Sequence, residues 1–373
     1  MQPPDGSETA TSVILYGASV RSAAQSAVRG GYAVHGIDLF GDRDTLAACR
    51  TFTRIQDRDR LPALVREAKI RYPDAVAVQV SDLIGVSTAD SLGLPNLKAG
   101  SPISRWASRA GCTTPASMVS GLDRPPSRWL IKPHQGTGGI GIRWRPTTDT
   151  PTTDNQTADG ADTFRQPWVA GRSVGASYLA DRSEVRLLGV CRSLHVRNHD
   201  NPFYFAGSFG PVAVDSATQA AIRSLGDQFA NETGYQGLFN ADFLIDRHHP
   251  PCLLEVNPRP TASSEVIELA LRSQDPTASL IAAHLHPASL QISAKPAGIC
   301  KRIVYAKRGG VFSQSRYDRL VQQSSVADEV TWADLPHDGA SVEPGWPIMT
   351  LLLRSFRAPL YRRLLSQAQD VLV

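Results

Sequence analysis

Apolar residues in the first eighty positions come in short unbroken blocks separated by amphipathic stretches. That is the pattern of strands buried on both faces and covered by helices. Residues 13–16 (Val-Ile-Leu-Tyr) form one block, followed by Gly17-Ala18-Ser19 and a helical pattern over 20–29 that Gly30-Gly31 ends. Residues 32–39 predict a second strand ending in Asp38, and a helical pattern over 59–71 leads into a third at 75–80. This β-α-β-α-β order predicts a parallel sheet with helices on its faces. Asp38, Asp42 and Asp44 read as a strand-end acid followed by helix-capping acids rather than as metal ligands. The glycines after the first strand lack G-x-G-x-x-G spacing, so no dinucleotide site is expected there.

A different pattern, strict alternation, runs through residues 237–260. It predicts two strands joined by a loop over 247–250. Asn240 and Asp242 then share one face while Phe239, Ala241, Phe243 and Ile245 take the other. On the returning strand Glu255, Asn257 and Arg259 share a face, with Leu254 and Val256 opposite. A four-residue loop sets Asp242 across from Glu255 and Asn240 across from Asn257. Two carboxylates that close are unfavourable unless a cation sits between them. Hard oxygen ligands on a rigid hairpin suit Mg²⁺, which takes one or two carboxylates and leaves positions for water and phosphate. An amphipathic hairpin with a solvated polar face accounts for either strand alone, but not for acid meeting acid and amide meeting amide.

Residues 129–144 place Lys132 at the end of a strand, before the glycine-rich run Gly136-Thr137-Gly138-Gly139-Ile140-Gly141, with a strand resuming over 140–144. Glycines let backbone N–H groups approach phosphate oxygens, and a lysine supplies compensating charge. No Gly-Lys-Ser/Thr follows and no helix begins there, so this is a flap between strands, not a Walker loop. A helix is predicted around 102–110 after a boundary at 91–100. Residues 146–162 have almost no apolar content and read as a disordered insertion. The segment 333–353 predicts short strands broken by Pro and Gly, closed by a helix from about Pro359.

Composition narrows the picture modestly. A chain of 373 residues with 42% hydrophobic and 20% charged residues has room for two or three soluble domains. A net charge of +4, spread evenly, gives no reason to expect nucleic acid. The basic residues are mostly Arg, which makes each Lys noticeable. Five widely spaced cysteines without a C-x-x-C pair predict neither zinc nor disulfides, in keeping with a reducing cytoplasm. No apolar run reaches membrane-spanning length and no signal-peptide core opens the chain. A cytoplasmic protein is expected.

Lys132-Pro-x-x-Gly-x-Gly-Gly-x-Gly followed by Asp242 and Glu255-Val-Asn257-Pro-Arg259 resembles the ATP-grasp superfamily. The resemblance covers most of the chain. It implies an α/β (α+β ATP-grasp) fold: an N-terminal parallel α/β domain over 1–95, an ATP-grasp domain with its flap over 96–290, and a small β-rich region over 291–373. It implies ATP and Mg²⁺, with Mn²⁺ as the alternative ion, held by Asp242, Glu255 and Asn257. Lys132, Gly136, Thr137, Gly138 and Gly139 would bind phosphates, and Arg259 with Lys132 would act on the transferring phosphoryl group. Gln166-Pro-Trp168-Val169-Ala-Gly171 resembles the adenine hinge, with Gln166 where an acid is usual and backbone near Val169 binding the adenine. Arg105 stands near where the family often has a second ATP-binding lysine.

Within the superfamily the chain's opening and close resemble a carboligase-like branch related to biotin carboxylase. That branch occurs beside genes for one-carbon carriers of the tetrahydromethanopterin and methanofuran type. The implied reaction is that of a carboxylate–amine ligase: a carboxylate is phosphorylated to an acyl-phosphate and an amine displaces the phosphate. The expected partners are a small-molecule carboxylate and an amine, with a homodimer as a candidate assembly and neither nucleic acid nor membrane. Arg192, His195, Arg197 and residues 204–210 would face the acceptor, and His195, His199, His248 and His249 are the acid–base candidates. The rival readings are a biotin-carboxylase-like enzyme with a separate carrier, since no Ala-Met-Lys-Met sequence is present, and a non-catalytic ATP-binding regulator. A dehydrogenase is disfavoured by the missing glycine fingerprint.

Overall fold

The computed structural model describes residues 11–83, 97–98, 100–120, 128–134, 136–145, 163–198, 201–324 and 329–373. The expected insertion at 146–162 and most of the expected boundary at 91–100 lie outside them. The chain begins with strand β1 (Ser12–Tyr16), helix α1 (Arg21–Arg29), β2 (Ala33–Asp38), α2 (Arg43–Ala48), β3 (Thr51–Arg54), α3 (Leu61–Arg71) and β4 (Val76–Gln79). All four strands are parallel, in the order β3-β2-β1-β4. The sequence pattern missed β3 because Thr-Phe-Thr-Arg is too short and too polar to stand out. Chain direction reverses from one side of β1 to the other, and such a switch point leaves a crevice at the carboxyl ends of the strands.

Next come α4 (Ser101–Arg109), α5 (Pro115–Val119), β5 (Trp129–Pro133), β6 (Arg143–Trp144) and β7 (Thr163–Pro167). The last three make a small antiparallel sheet in the order β6-β5-β7. The strand expected over 140–144 is only Arg143–Trp144, because the preceding glycines turn instead of extending.

The remainder supplies β8 (Arg172–Ala180), β9 (Val185–Asn198), β10 (Asn201–Gly210), α6 (Ser216–Thr233), β11 (Gly237–Asp246), β12 (His249–Asn257), α7 (Ser264–Arg272), α8 (Leu280–Leu285) and β13 (Ile299–Tyr305). It ends with β14 (Gly310–Val311), α9 (Gln314–Gln323), β15 (Val330–Ala333), β16 (Ser341–Val342), β17 (Pro347–Leu353) and α10 (Ala358–Gln367). Eight of these strands form one sheet, β12-β11-β8-β9-β10-β13-β17-β15. Three strands from residues 299–353 therefore continue the sheet begun by 172–257.

One face of that sheet is covered by α4 and α6. Helix α6 is fixed at its start by Asp215, which accepts from the Thr218 N–H at 2.9 Å, and at its end by left-handed Gly234. It buries Ile222, Leu225 and Phe229 with Trp106, Tyr178, Phe239, Ala241 and Phe243. The opposite face meets α7 and α8, which lie between the two large sheets. Leu280 and Ala283 pack with Leu179, Leu188 and Leu238, whereas Ile281 joins the core of Val13, Leu15 and Ala24. Among the described residues no helix is long and apolar enough to cross a membrane.

Candidate functional site

The β11–β12 hairpin has the register that alternation implies, reached by another route. The strands turn at residues 247 and 248 alone, and Asp246 pairs with His249. Two one-residue shifts farther along, between Leu244 and Asp246 and between Asp242 and Phe243, bring Asp242 opposite Glu255 and Asn240 opposite Asn257. The second shift has a cost in side-chain direction. Leu253, not Leu254, enters the core beside Val256, and Leu254 turns to the polar face with Glu255. The expected placement of Leu254 is corrected on that ground.

Around the facing acids the hydrogen bonds are dense. Asn240 Nδ2 donates to Asp242 Oδ1 at 3.0 Å, and Asn257 Nδ2 donates to Asp242 Oδ2 and Glu255 Oε1, each at 3.2 Å. Gly175 on β8 lies directly beneath, where a Cβ would come within 3.1 Å of Asp242 Oδ1. Burial and then the Glu255 charge hold Asp242 well above the usual carboxylate range. Burial opposes ionisation of Glu255 too, but Lys98 and Lys132 outweigh it and draw its carboxyl down. The pair thus keeps one proton, as two carboxylates do where no cation separates them. Among the described residues no three His, Cys, Asp or Glu gather as a metal cluster. Two carboxylates and an amide are the donor set of an ion that fills its other positions with phosphate and water. As oriented here, the Asn257 amide oxygen accepts from Arg259 at 3.3 Å, so it would meet such an ion only after an amide flip.

Lys132, at the end of β5, is buried at 7% exposure and donates to Gln166 Oε1 at 3.2 Å. Burial, reinforced by Lys98, pulls its ammonium below the ordinary value against the attraction of Glu255 and Asp242. Gln166 therefore orients the lysine from β7, a contact that the sequence resemblance did not suggest. Lys98 donates to the Gly136 carbonyl at 2.9 Å and completes a pair of lysines facing the acids. The flap docks on β10: the Phe205 N–H donates to the Gly138 carbonyl at 2.9 Å and Asn201 Nδ2 to the Gly139 carbonyl at 2.6 Å. Gly139 has φ +74°, and a Cβ there would stand 2.0 Å from the Phe203 carbonyl oxygen. Trp168 and Val169 both line the cavity, and Arg128 lies over Trp144 and Trp168 at 3.8 and 5.0 Å.

Arg105 is corrected. It points away from the cavity and pairs with Glu232 on α6, whereas Lys98 lines the cavity. The signal that could have found Lys98 was scarcity: the chain has six lysines, and Lys98, Lys132 and Lys301 all line the cavity.

Arg259 is buried at the base of this arrangement. It donates to Asp82 Oδ2 at 3.1 Å and to the Val80 carbonyl at 3.4 Å, joining the hairpin to the carboxyl end of β4. The cavity between the sheets measures about 1300 Å³, beyond the roughly 300–1,000 Å³ of single-ligand sites. It has room for a nucleotide and a second molecule. Its far end is lined by Ser19, Arg21, Asp42, Ser208, Lys301 and Asp334. Arg192, His195 and Tyr204 line it, while Arg197 does not. His248 and His249 are exposed on the hairpin turn, outside the cavity, and His199 lies outside the described residues. The capping roles expected of Asp42 and Asp44 are also corrected. Asp42 makes no capping hydrogen bond, and Asp44 accepts instead from the N–H groups of Asp334 and Leu335, at 2.8 and 3.0 Å.

Residues 103–263 match the family model described as the ATP-grasp domain. Solved structures extend the likeness to nearly the whole chain. An L-amino acid ligase from Bacillus licheniformis is 13% identical over 97% of this chain and 98% of its own, with a TM-score of 0.60. N5-carboxyaminoimidazole synthetase from Staphylococcus aureus, complexed with ADP, is 12% identical over 96% and 97%, at 0.63. Biotin carboxylase from Campylobacter jejuni, in a β-γ-ATP complex, is 14% identical over 98% and 92%, at 0.67. At these identities the likeness establishes the fold. No curated protein matches the chain in sequence.

Proposed function

We propose that this chain, which carries an ATP-grasp domain within an ATP-grasp fold, is an ATP- and Mg²⁺-dependent carboxylate–amine ligase. The observation that supports the reading best is the opposition across one cavity of Asp242 and Glu255 to Lys98 and Lys132. Carboxylates on one side and ammonium groups on the other suit a polyphosphate that carries its own cation. When bound, Mg²⁺ supplies charge neutralisation over the phosphate oxygens; Asp242 and Glu255 would hold it, with Asn257 after its flip.

Lys132, kept in place by Gln166, and Lys98 would draw charge off the transferring phosphoryl group from the flap side. Arg259, held by Asp82 at the junction with the parallel sheet, would meet the carboxylate as it becomes an acyl-phosphate. The docked flap would exclude water from that intermediate. An amine then forms the C–N bond, the bond from carbon to the phosphate oxygen breaks, and ADP and phosphate are the products. No covalent nucleophile on the protein is required. The likeness to an amino acid ligase and a carboxyaminoimidazole synthetase agrees with this reaction class. Placement in one-carbon carrier biosynthesis rests on the resemblance of the chain's ends to the carboligase-like branch.

The test is a matrix of carboxylates and amines assayed for ADP release. With the active pair in hand, ¹⁸O in the substrate carboxylate should appear in inorganic phosphate. Label in AMP would overturn the acyl-phosphate mechanism while leaving the nucleotide site standing.

A further inference from the structure

Opposite the nucleotide end, the cavity is closed by an ion network joining three parts of the chain. Arg21 on α1, 1% exposed, pairs with Glu265 on α7 and donates to Asp334 Oδ1 at 2.8 Å; Asp44 stands 3.7 Å away. Lys301 on β13 adds a contact to Glu265 Oε2 at 2.8 Å. With Asp38 and Asp42, five carboxylates surround two cations.

Four of the five are accounted for. Asp38 accepts from the N–H groups of Val20, Phe40 and Gly41. Asp44 accepts from two backbone N–H groups, and Asp334 and Glu265 hold the guanidinium. Asp42 is the exception. It is 9% exposed, lines the cavity, and has no hydrogen-bond or ion-pair partner for its carboxylate among the described residues. The basic side chains near it are engaged elsewhere: Arg43 with Gln314 and the Tyr317 ring, Arg54 with the Leu39 carbonyl, and the His337 ring with the Gly41 carbonyl. A buried carboxylate facing a cavity inside a surplus of negative charge is a seat for a cation.

Resting on the ligase reading, we propose that Asp42 binds the acceptor substrate's ammonium group and takes its first proton. The acceptor is then a basic primary amine, cationic at neutral pH, not a weakly basic nitrogen. One proton passes from the ammonium to an Asp42 carboxylate oxygen. The free amine attacks the acyl-phosphate, and the departing phosphate carries away the second proton. Burial, then the charges of Asp334, Asp38 and Asp44, push Asp42 up to about 8, near enough to neutrality for a base that must reset each turnover.

The test uses the full chain loaded with Mg-ATP, with n-butylammonium chloride as probe and tetramethylammonium chloride at equal ionic strength as the control salt. Butylammonium should raise the melting temperature more than tetramethylammonium does. Its apparent affinity should strengthen about tenfold from pH 6 to pH 7 as Asp42 ionises. Asp42→Asn should abolish the butylammonium increment while keeping the Mg-ATP increment, and Asp42→Glu should retain part of it. Equal responses to the two ammonium salts, or a full butylammonium response in Asp42→Asn, would overturn the proposal. A wild-type protein that ignores Mg-ATP but binds butylammonium would sink the ligase reading and leave the ammonium seat supported.

Discussion

Replacing Glu255 by Gln separates a metal-binding hairpin from a structural one. Directly opposed side chains have their Cβ atoms about 5 Å apart, and the Asp242 and Glu255 carboxyls are hydrogen-bonded to each other. At an effective dielectric of about 20, two full charges even about 5 Å apart would repel by about 3 kcal/mol. The protein without nucleotide avoids that cost by leaving the proton on Asp242, which burial and Glu255 hold far above its ordinary range. Glu255→Gln removes the repulsion altogether, so the nucleotide-free variant should melt at the wild-type temperature or slightly above. The loss appears with ligand. At a hundred times its dissociation constant, Mg-ATP stabilises the native state by about 2.7 kcal/mol. Each kcal/mol moves the melting temperature of a 150–250-residue chain by about 2–4 °C, and less in a longer one, so the wild-type shift should be about 5 °C or less. Differential scanning fluorimetry with ATP plus Mg²⁺ and with ATP plus EDTA reads the metal's share directly. The two curves should differ in the wild type and coincide in Glu255→Gln, with far-UV circular dichroism confirming an unchanged fold. A variant that keeps the full Mg²⁺-dependent increment would refute the assignment of the hairpin to the metal.

Three further outcomes are expected. Lys98→Ala should weaken ATP binding at least tenfold in calorimetry, whereas Arg105→Ala, removing an exposed pair with Glu232, should leave the affinity unchanged; the reverse result would restore Arg105 to the site. Gly139→Ala forces a side chain into the Phe203 carbonyl at a left-handed backbone position, so the flap should undock. Faster amide exchange over 136–142 and weaker nucleotide binding, with little change in melting temperature, would register this, and wild-type exchange would contradict it. The last concerns pH. Asp42 is raised from 3.8 to about 8 in the folded chain, so the native state binds the extra proton and stability falls as pH rises from about 4 to about 8. Asp42→Asn lacks that slope and should exceed wild type above pH 8 by up to about 5 kcal/mol; urea midpoints at pH 5.5 and 8.5 that differ equally in both proteins would count against it.

Local pattern was enough for the parts of this protein whose physics is local. Two-residue alternation put Phe239, Ala241 and Phe243 in the core and Asn240 with Asp242 on the opposite face, because burial selects one side of a strand. Apolar blocks with glycine stops marked β1, β2 and β4, and Lys132 before a glycine run marked the flap. The acid-to-acid register was legible too, although the turn is shorter than expected. The two bulges that restore it could not be foreseen, since strict alternation carries no mark of an extra residue in one strand.

What escaped the sequence depends on partners far along the chain. Whether Arg105 or Lys98 faces the cavity is decided by Glu232, more than a hundred residues away, which holds the arginine on the outside of α4. Asp42 and Asp44 read as equivalent caps until the 334–337 segment folds over them, taking Asp44 and leaving Asp42 bare. Residues 299–353 signalled short strands but not that these would continue the sheet begun at residue 172. Strand order, ion-pair choice and the closing of a cavity are long-range events, and periodicity along a chain holds no information about which distant group arrives.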